Sequence, residues 1–396
     1  MKILMVASFL PFPLFSGGQI RLYNIIKKLS AKHEITLICE KRNYQTDRDI
    51  EELQRFCKKV LTVERKEQWS LSNIIKTGFS FNSFLVTGHV SREMQKLIKD
   101  EIKNENYDLI HVETFYVMQN LPKTLLLTAS LRSLPVVLVE HNIEHLVYKK
   151  YADKASFMLK PLLYLDVLKL KRLERLFWQK ATKLVAVSEI EKKLMNRSDV
   201  VVIPNGVDLD KFKTKNIKLK TEGKKTVLFI GDFKWMQNID AVEQILSKIW
   251  PIILEENLKT KLLIVGKKIP QKIKSFGKEG IIFDENILDS ADVYKRADIL
   301  LAPIRIGGGT SFKILEAMAS GVAVVTTDLG IEGLGAVNGK QVLVGNNENE
   351  LAKQVIRLIK ENNLLRELTK NARNLIEKKY DWEKIVSVLE SVYKSA

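Results

Sequence analysis

Short apolar runs alternate with segments of helical periodicity along almost the whole chain. The runs that predict strands in the first half are 2–7, 34–39, 59–63, 108–112, 135–139, 183–187 and 200–203. In the second half they are 226–230, 261–265, 281–283, 298–302, 322–326 and 341–344. Helical segments lie between them, for example 19–30, 91–104, 238–255, 311–319 and 350–361. The alternation is typical of parallel sheets with crossover helices, so it predicts an α/β fold.

A domain boundary is predicted near residue 205. Ile203-Pro-Asn-Gly-Val-Asp208 contains an Asn-Gly turn signal, and the Lys-rich stretch 211–225 that follows lacks apolar periodicity. Because 396 residues are too many for one ordinary domain, we expect two doubly wound domains that face each other across a cleft. Such folds bind ligands at the carboxyl ends of their strands, which is where the informative loops fall.

The composition adds a strong positive charge. Sixty-four Lys and Arg against 47 Asp and Glu give a formal charge of +17, which favours a phosphate-bearing or polyanionic partner. Two cysteines, Cys39 and Cys57, are too few for a disulfide framework and indicate a reducing, cytoplasmic setting. The apolar N-terminus lacks the features of a signal peptide, and no apolar run is long enough for a transmembrane helix.

The most informative motif is the segment 303–321. A strand is followed by Gly307, Gly308 and Gly309, and then by a helix that Thr310 or Ser311 caps. Glycines let the backbone approach a ligand closely, and a helix N-terminus presents unpaired N–H groups to an anion. The motif therefore predicts a phosphate or diphosphate site.

Two charged side chains of this helix strengthen the prediction. Lys313 lies in the first turn, where a cation opposes the helix dipole unless an anion binds beside it. Glu316 lies one turn further and is suited to accept hydrogen bonds from two ribose hydroxyls. The alternative is a glycine-rich turn with a solvated lysine and glutamate.

Two other loops have a related but weaker signal. Gly17 and Gly18 follow the first strand and precede a helix that carries Arg21, which is either a second anion loop or a structural turn. Lys234 lies in the loop after the first strand of the second half, where it either reaches a diphosphate or is solvated.

Polar residues that follow a strand of the first half are candidates for substrate contact. Glu140, His141 and Asn142 come directly after the run 135–139, and His141 can donate a hydrogen bond or exchange a proton near neutral pH. We assign a catalytic role to His141 and Glu140, with Asn142 beside them; a structural histidine is the alternative. His111 is a candidate either for site lining or for core support.

The sequence contains no cluster with metal-ligand spacing, no GxSxG elbow and no GxxxxGK[ST] phosphate loop. We therefore expect neither a metal nor another cofactor. Lysine, arginine and helix N-termini would stabilise a leaving diphosphate instead.

Taken together, these segments resemble the retaining glycosyltransferases of family four, which have the GT-B fold of two Rossmann-like domains. The resemblance covers nearly the whole chain. It is carried by Gly17-Gly18, Tyr107-Asp-Leu-Ile-His111, Glu140-His-Asn-Ile-Glu144, Val185-Ala-Val-Ser-Glu189, Ile203-Pro-Asn-Gly-Val-Asp208, Phe229-Ile-Gly-Asp232 and, most specifically, 303–321.

The resemblance implies roles for the two domains. Residues 1–205 would bind the acceptor and 206–379 the nucleotide-sugar donor, while the helix 380–396 would pack back on the first domain. It implies transfer of a sugar, with retention of configuration, from a nucleotide-sugar (UDP- or GDP-linked) to an acceptor hydroxyl. Departure of the nucleoside diphosphate and same-face attack would replace a covalent nucleophile. Cell-surface polysaccharide or glycolipid synthesis is the expected setting.

Residue by residue, Glu316 resembles the family's ribose-binding glutamate, and Lys313 with 307–310 resembles its diphosphate contacts. We also expect Gly17, Gly18 and Lys234 to contact the donor, and Arg21, His111 and Asn142 to line the acceptor side. A second family glutamate is replaced by Gly308, and an Arg and Lys pair is reduced to Lys234. Members with a GGGT-type loop share these changes, so we expect that subfamily.

A basic amphipathic stretch suggests where the protein works. Residues 149–183 include ten Lys or Arg against three Asp or Glu, among many leucines and aromatic residues. Such a helix either lies on an anionic bilayer or packs on the core with a solvated basic face. The first alternative implies a cytoplasmic protein, peripheral on the inner face of the membrane, with a glycan or lipid-linked acceptor.

Two other functions were weighed. A nucleotide-sugar epimerase could use the same fold and pocket, but it needs more acid and base residues than His141 and Glu140 supply. A non-catalytic, basic polyanion-binding protein would account for the charge but not for the glycine-rich loop. The sequence also lacks a nucleic-acid recognition motif, so no nucleic-acid partner is expected.

Overall fold

The structure is a computed structural model that describes residues 1–126, 134–214, 225–256, 259–277, 279–286, 289–305 and 310–396. It divides into two compact units. The first unit contains Met1–Pro204 and Val386–Ala396, and the second contains Asn205–Ile385. Gly307, Gly308 and Gly309 of the predicted anion loop lie outside the described residues.

Within the described residues, the first unit is built on a parallel sheet of seven strands in the order β3-β2-β1-β4-β5-β6-β7. The strands are β1 (Lys2–Ala7), β2 (Glu34–Lys41), β3 (Lys59–Glu64), β4 (Leu109–Glu113), β5 (Val136–Val139), β6 (Lys183–Ala186) and β7 (Val201–Val202). The helices are α1 (Gly17–Leu29), α2 (Asp47–Gln54), α3 (Leu71–Gly78), α4 (Phe84–Thr87), α5 (Arg92–Asn104), α6 (Glu144–Lys154), α7 (Lys160–Lys180) and α8 (Glu189–Met195), with 3-10 turns at Phe115–Asn120 and Lys123–Leu126.

The second unit repeats this plan with six parallel strands among its described residues, in the order β10-β9-β8-β11-β12-β13. The strands are β8 (Thr226–Ile230), β9 (Lys261–Val265), β10 (Ile281–Asp284), β11 (Ile299–Ala302), β12 (Ala323–Thr326) and β13 (Leu343–Val344). The helices are α9 (Met236–Gln244), α10 (Trp250–Glu255), α11 (Gln271–Lys274), α12 (Ser290–Arg296), α13 (Phe312–Ala319), α14 (Asp328–Ile331), α15 (Glu348–Lys360), α16 (Asn362–Lys379) and α17 (Trp382–Lys394).

Both sheets are covered by helices on their two faces. In β8, for example, Val227 and Phe229 pack into one apolar cluster while Leu228 packs into another, and all three are buried. Strands buried on both faces appear in a sequence as continuous apolar runs, which is why the sequence revealed them. The predicted α/β fold with two doubly wound parallel sheets is confirmed.

One helix differs from its prediction. The segment 238–255 does not form one α-helix, because a π-helical turn at Ile245–Ile249 separates α9 from α10. Pro251 follows this turn, has no N–H group and cannot donate to the carbonyl four residues earlier. The wider turn accommodates the missing bond.

The strand order creates one switch point in each sheet. In the first unit β1 lies between β2 and β4, and in the second β8 lies between β9 and β11. Connections leave these neighbouring strands in opposite directions, so a crevice opens beyond their carboxyl ends. The loops after β1 and β4, and those after β8 and β11, are therefore the places to examine for ligand groups.

Candidate active site

The first unit places His141 beside the start of α1. His141 follows β5, and its side chain is 17% exposed. A methyl group added at Gly18 would lie 3.4 Å from the His141 ring and 3.1 Å from Phe9 Cζ. Glycine at position 18 therefore allows the helix N-terminus to approach the histidine closely. The role of Gly17 and Gly18 in donor binding stays a prediction.

A buried carboxylate, Glu113, holds this histidine. Its Oε1 lies 2.5 Å from His141 Nε2, and its Oε2 lies 2.7 Å from His111 Nε2. Because a carboxylate can only accept, both histidines donate their Nε2 protons to it. His111 Nδ1 then accepts from the Tyr393 hydroxyl at 2.6 Å. The result is a hydrogen-bonded chain from α17 through β4 to the loop after β5, which we call the Glu113 relay (Tyr393, His111, Glu113 and His141).

The relay fixes the charge of Glu113 and the orientation of its other members. Burial alone would raise the pKa of Glu113, but the charge of His141 and the hydrogen bonds from His111 and His141 outweigh it and hold that pKa well below its ordinary value. Glu113 is therefore ionised at neutral pH. Because Nε2 donates to Glu113, the neutral form of the His141 ring carries its proton on Nε2 and presents Nδ1 as an acceptor, whereas the charged form donates from both nitrogens.

Arg21 supports the relay from inside the unit and does not line an open surface as expected. It is buried, and its guanidinium donates to the carbonyl oxygens of Ile203 and Pro204 at 2.8 Å each. Its Nε lies 3.8 Å from Glu113 Oε1. Burial lowers the pKa of Arg21, and the charge of Glu113 opposes that shift. The arginine thus joins α1 to the end of the first unit's main segment.

The expectation that the Glu140 side chain is available to substrate is wrong. Its carboxyl is buried and accepts hydrogen bonds from Trp178 Nε1 at 2.9 Å and from the Phe115 amide at 3.3 Å. The Glu140 amide continues the strand ladder by donating to Val185, so its side chain falls on the α7 face of the sheet. Burial and the charge of Glu174 raise the pKa of Glu140 well above its ordinary value. Glu140 is therefore a buried core group, held by Trp178 and Phe115.

The other candidates of the first unit are also accounted for. Asn142 is half-buried and donates to Glu144 at 3.3 Å. His111 is fully buried in the relay and supports His141 from within, so of its two proposed roles the structure favours core support.

Two members of the relay, Glu113 and Tyr393, were not predicted from the sequence. The spacing His111-x-Glu113 puts both side chains on one face of a strand, and this pattern could have revealed Glu113. No local pattern points to Tyr393.

In the second unit, the helices that follow β8 and β11, α9 and α13, meet through one lysine. Lys313, in the first turn of α13, donates to Asn238 Oδ1 at 2.8 Å, and its ammonium lies 4.5 Å from the centre of the Phe229 ring. Asn238 also donates to the Asp232 carbonyl at 2.7 Å. A methyl group at Gly231 would lie 2.7 Å from Asn238, so glycine permits this contact.

Burial changes the charge state of both ionisable residues of α13. Loss of hydration lowers the pKa of Lys313 to about 8 and raises the pKa of Glu316 to about 7. The buried Tyr294 hydroxyl, from α12, donates to Glu316 Oε2 at 3.1 Å and holds that carboxyl in place. A cation and an anion with these pKa values suit a ligand that carries both negative charge and hydroxyl groups.

The start of α13 is prepared for an anion. Its N-cap residue, Ser311, makes no side-chain capping bond. Thr310 is 5% exposed, yet its hydroxyl has no hydrogen-bond partner within the described residues. Buried polar groups without partners are rare in folded proteins and are costly to leave unpaired. Together with Lys313, these groups form a place where phosphate oxygens would complete the hydrogen bonding.

Lys234 lies near this place but is exposed. Its amide donates to Asp232 Oδ1 at 2.9 Å, which shapes the loop, and its ammonium lies 5.7 Å from the Trp235 ring. Asn238 lies within α9, which starts at Met236. A contact between Lys234 and a donor stays a prediction.

Comparison with known protein families gives the class of enzyme. Residues 15–211 match the model of Glycosyltransferase Family 4, and residues 224–361 match the model of Glycosyl transferases group 1. The two matches together cover most of the chain. The protein is a glycosyltransferase of the family 4, group 1 type.

Two relatives show how far the similarity extends along the chain. An uncharacterized 44.6 kDa protein in the cps region of Klebsiella pneumoniae is 26% identical, with 99% of each chain covered. A phosphatidyl-myo-inositol mannosyltransferase of Mycobacterium tuberculosis is 31% identical over 228 residues, with 53% of this chain and 59% of the relative covered.

Solved structures agree on the fold. Sucrose-phosphate synthase of Thermosynechococcus elongatus matches with a TM-score of 0.72 at 16% identity, covering 100% of this chain and 99% of that one. HepE of Anabaena, in complex with UDP-glucose, matches with a TM-score of 0.68 at 15% identity, covering both chains in full. The fold is therefore the GT-B fold of glycosyltransferases. Among the described helices, none has the length and apolar character that crossing a membrane requires.

Proposed function

We propose that this protein transfers a sugar from a nucleoside diphosphate sugar, UDP- or GDP-linked, to an acceptor hydroxyl with retention of configuration and without a metal. The observation that carries the proposal is that one helix, at the carboxyl end of the second sheet, presents both Lys313 and Glu316. The two residues lie one turn apart on a helix whose N-terminus is uncapped by a side chain.

The donor's diphosphate fits the first of these groups. Lys313 lies where the helix dipole and the loss of hydration both disfavour its charge. A diphosphate beside it would reverse both effects, because the anion attracts the ammonium and the N–H groups at the helix start. Thr310 would donate its hydroxyl, which has no partner among the residues that the structure describes. The amides of Gly307, Gly308 and Gly309 are predicted from the sequence to join them.

The donor's ribose fits the second group. Glu316, when ionised, has one oxygen bonded to Tyr294 and further lone pairs for hydroxyl donors. A nucleotide-sugar donor is supported by the similarity of the fold to HepE, which was solved in complex with UDP-glucose. The base of the nucleotide would be read by groups outside this pair.

His141 is the candidate of the first unit for a role in catalysis. Its ring is held by a carboxylate that stays ionised, so it is preorganised to accept or donate one hydrogen bond. We assign it to positioning and polarising the substrate, because same-face attack after departure of the diphosphate needs no covalent nucleophile. The acceptor would be a glycan or a lipid-linked molecule. One relative is a phosphatidyl-myo-inositol mannosyltransferase, and another is a protein in a cps region.

Thermal shift with UDP, GDP, ADP, CMP and their sugar conjugates tests the proposal. A ligand at a hundred times its Kd stabilises a protein by about 2.7 kcal/mol, which raises the Tm by a few degrees. We expect a shift with one nucleoside diphosphate, lost in Lys313→Met and kept in the exposed control Lys353→Met. No shift at several millimolar, or an equal shift in both variants, would overturn the site. Conversion of the donor without release of nucleoside diphosphate would indicate an epimerase.

A further inference from the structure

Large apolar side chains are exposed on two segments of the first unit. In residues 69–81, Trp69 is 80%, Phe79 93% and Phe81 80% exposed. In residues 157–168, Phe157 and Met158 are each 88% exposed, and leucines of the first half of α7 are exposed behind them. We call these two segments together the apolar surface. Large apolar side chains that are exposed together on a folded unit mark an interaction site.

Polar contacts hold the two segments against each other. Lys169, on α7, donates to the carbonyl oxygens of Thr77 and Ser80 at 2.8 Å each. The Arg172 guanidinium lies 5.6 Å from the centre of the Phe81 ring. The amide of Phe84 donates to Asp166 Oδ1 at 2.8 Å. The aromatic rings are therefore presented by a backbone that α7 fixes, so their exposure belongs to the folded state.

Packing of α7 on the core does not account for this surface. Val167, Leu170 and Phe177 face the interior, as the buried stripe of an amphipathic helix should. Leu162 and Leu165 lie outside that stripe and are 68% and 53% exposed. The first half of α7 is thus apolar on a second side. A core helix with only a solvated basic face, which was the alternative, therefore does not explain the exposed leucines.

Positive charges outnumber negative ones around the surface, because residues 149–183 carry ten Lys or Arg against Asp153, Asp166 and Glu174. Lys154 and Lys160 bracket the exposed loop that carries Phe157 and Met158, and Lys76 lies on α3 between the exposed Ile75 and Phe79. Within the part of the chain that the structure describes, these three ammonium groups have no hydrogen bond or ion pair. Two copies of such a surface would repel each other, whereas negatively charged lipid headgroups would attract it.

We propose that the apolar surface docks the protein peripherally on an anionic lipid bilayer. The aromatic and methionine side chains enter the boundary between headgroups and acyl chains, and the lysines pair with the headgroups. Lys169 and Arg172 are not among these headgroup contacts, because they bind the segment 69–81. The surface belongs to the first unit and the proposed nucleotide site to the second, so this proposal does not depend on which donor is used.

Flotation of the full chain with lipid vesicles tests the proposal. We expect binding to vesicles of equal parts phosphatidylcholine and phosphatidylglycerol, little binding to phosphatidylcholine alone, and release by raised salt. Phe157→Ser with Met158→Ser should weaken binding at least about tenfold, because both side chains are highly exposed in the free protein and would bury apolar area in the bilayer. Lys154→Gln and Lys76→Gln should each weaken it about fivefold.

Matched controls separate docking from folding. Val337→Ser with Ile282→Ser removes exposed apolar side chains of the second unit and should leave vesicle binding unchanged. Every variant should keep the parent's Tm and its shift with nucleoside diphosphate, so failure of the proposed donor site would be seen separately.

Three results would overturn the proposal. The first is equal binding to neutral and anionic vesicles. The second is unchanged binding by the surface variants. The third is a dimer in solution that Phe157→Ser with Met158→Ser abolishes while no vesicle binding occurs, because a second copy of the chain would then cover the surface.

Discussion

The affinity for a nucleoside diphosphate is expected to be highest between about pH 7 and 8. Lys313, with a pKa of about 8, carries its charge below that pH, and Glu316, with a pKa of about 7, carries its charge above it. A bound diphosphate favours charged Lys313, so the affinity should fall up to about tenfold, or about 1.4 kcal/mol, for each pH unit above 8. Ribose hydroxyls favour ionised Glu316, so the affinity should also fall as the pH drops below 7.

Titration calorimetry at several pH values from below 7 to above 8 measures the affinity, and two variants separate the alkaline decline from the acidic one. Lys313→Arg keeps its charge at every pH used and should abolish the alkaline decline. Glu316→Gln does not titrate and should remove the part of the acidic decline that begins near pH 7, at the cost of weaker binding throughout. Protonation of the ligand's own terminal phosphate, near about pH 6, would remain in both variants and serves as the internal reference. An affinity of the parent protein that stays constant from pH 7 to 10 would refute the assignment of Lys313.

Three further substitutions test the first unit by comparing steady-state kinetics with urea unfolding. His141→Ala should lower kcat while nucleotide affinity is retained, and an unchanged kcat would remove its assigned role. Tyr393→Phe deletes the donor to His111, so we expect about 1 kcal/mol less stability and a lower kcat at unchanged donor KM; lost stability with normal kcat would make the contact structural only. Glu140→Gln keeps one acceptor oxygen for two donors, so the Trp178 or the Phe115 N–H loses its partner. We expect about 1–2 kcal/mol less stability with kcat kept, whereas a hundredfold drop in kcat would restore a catalytic role.

The sequence contained enough information for the sheets because their strands are buried on both faces. Continuous apolar runs such as 226–230 and 261–265 coincide with β8 and β9 as found. The π-helical turn before Pro251 was not anticipated, because the apolar periodicity continues through it. Periodicity reports which face is buried, and a widened turn changes that face only slightly.

The candidate site was predictable only where its residues are neighbours in sequence. Lys313 and Glu316 stand out beside a glycine loop. The burial of Arg21 depends on carbonyls about 180 residues away, at Ile203 and Pro204. Glu140 and His141 are adjacent, but strand alternation sends one towards Trp178 and the other towards Glu113. Sequence adjacency suggested a shared role that the sheet geometry divides.

The division of α17 between the units has a consequence for biosynthesis. The first unit needs Val386–Ala396, which the ribosome delivers only after all 181 residues of Asn205–Ile385. At about 5–20 residues per second, this is a delay of roughly 9–36 seconds. During that interval the nascent first unit holds His111 without Tyr393 and leaves the binding face for α17 uncovered. Chaperones that recognise apolar surface would therefore meet this protein during translation, before His141 has its complete support.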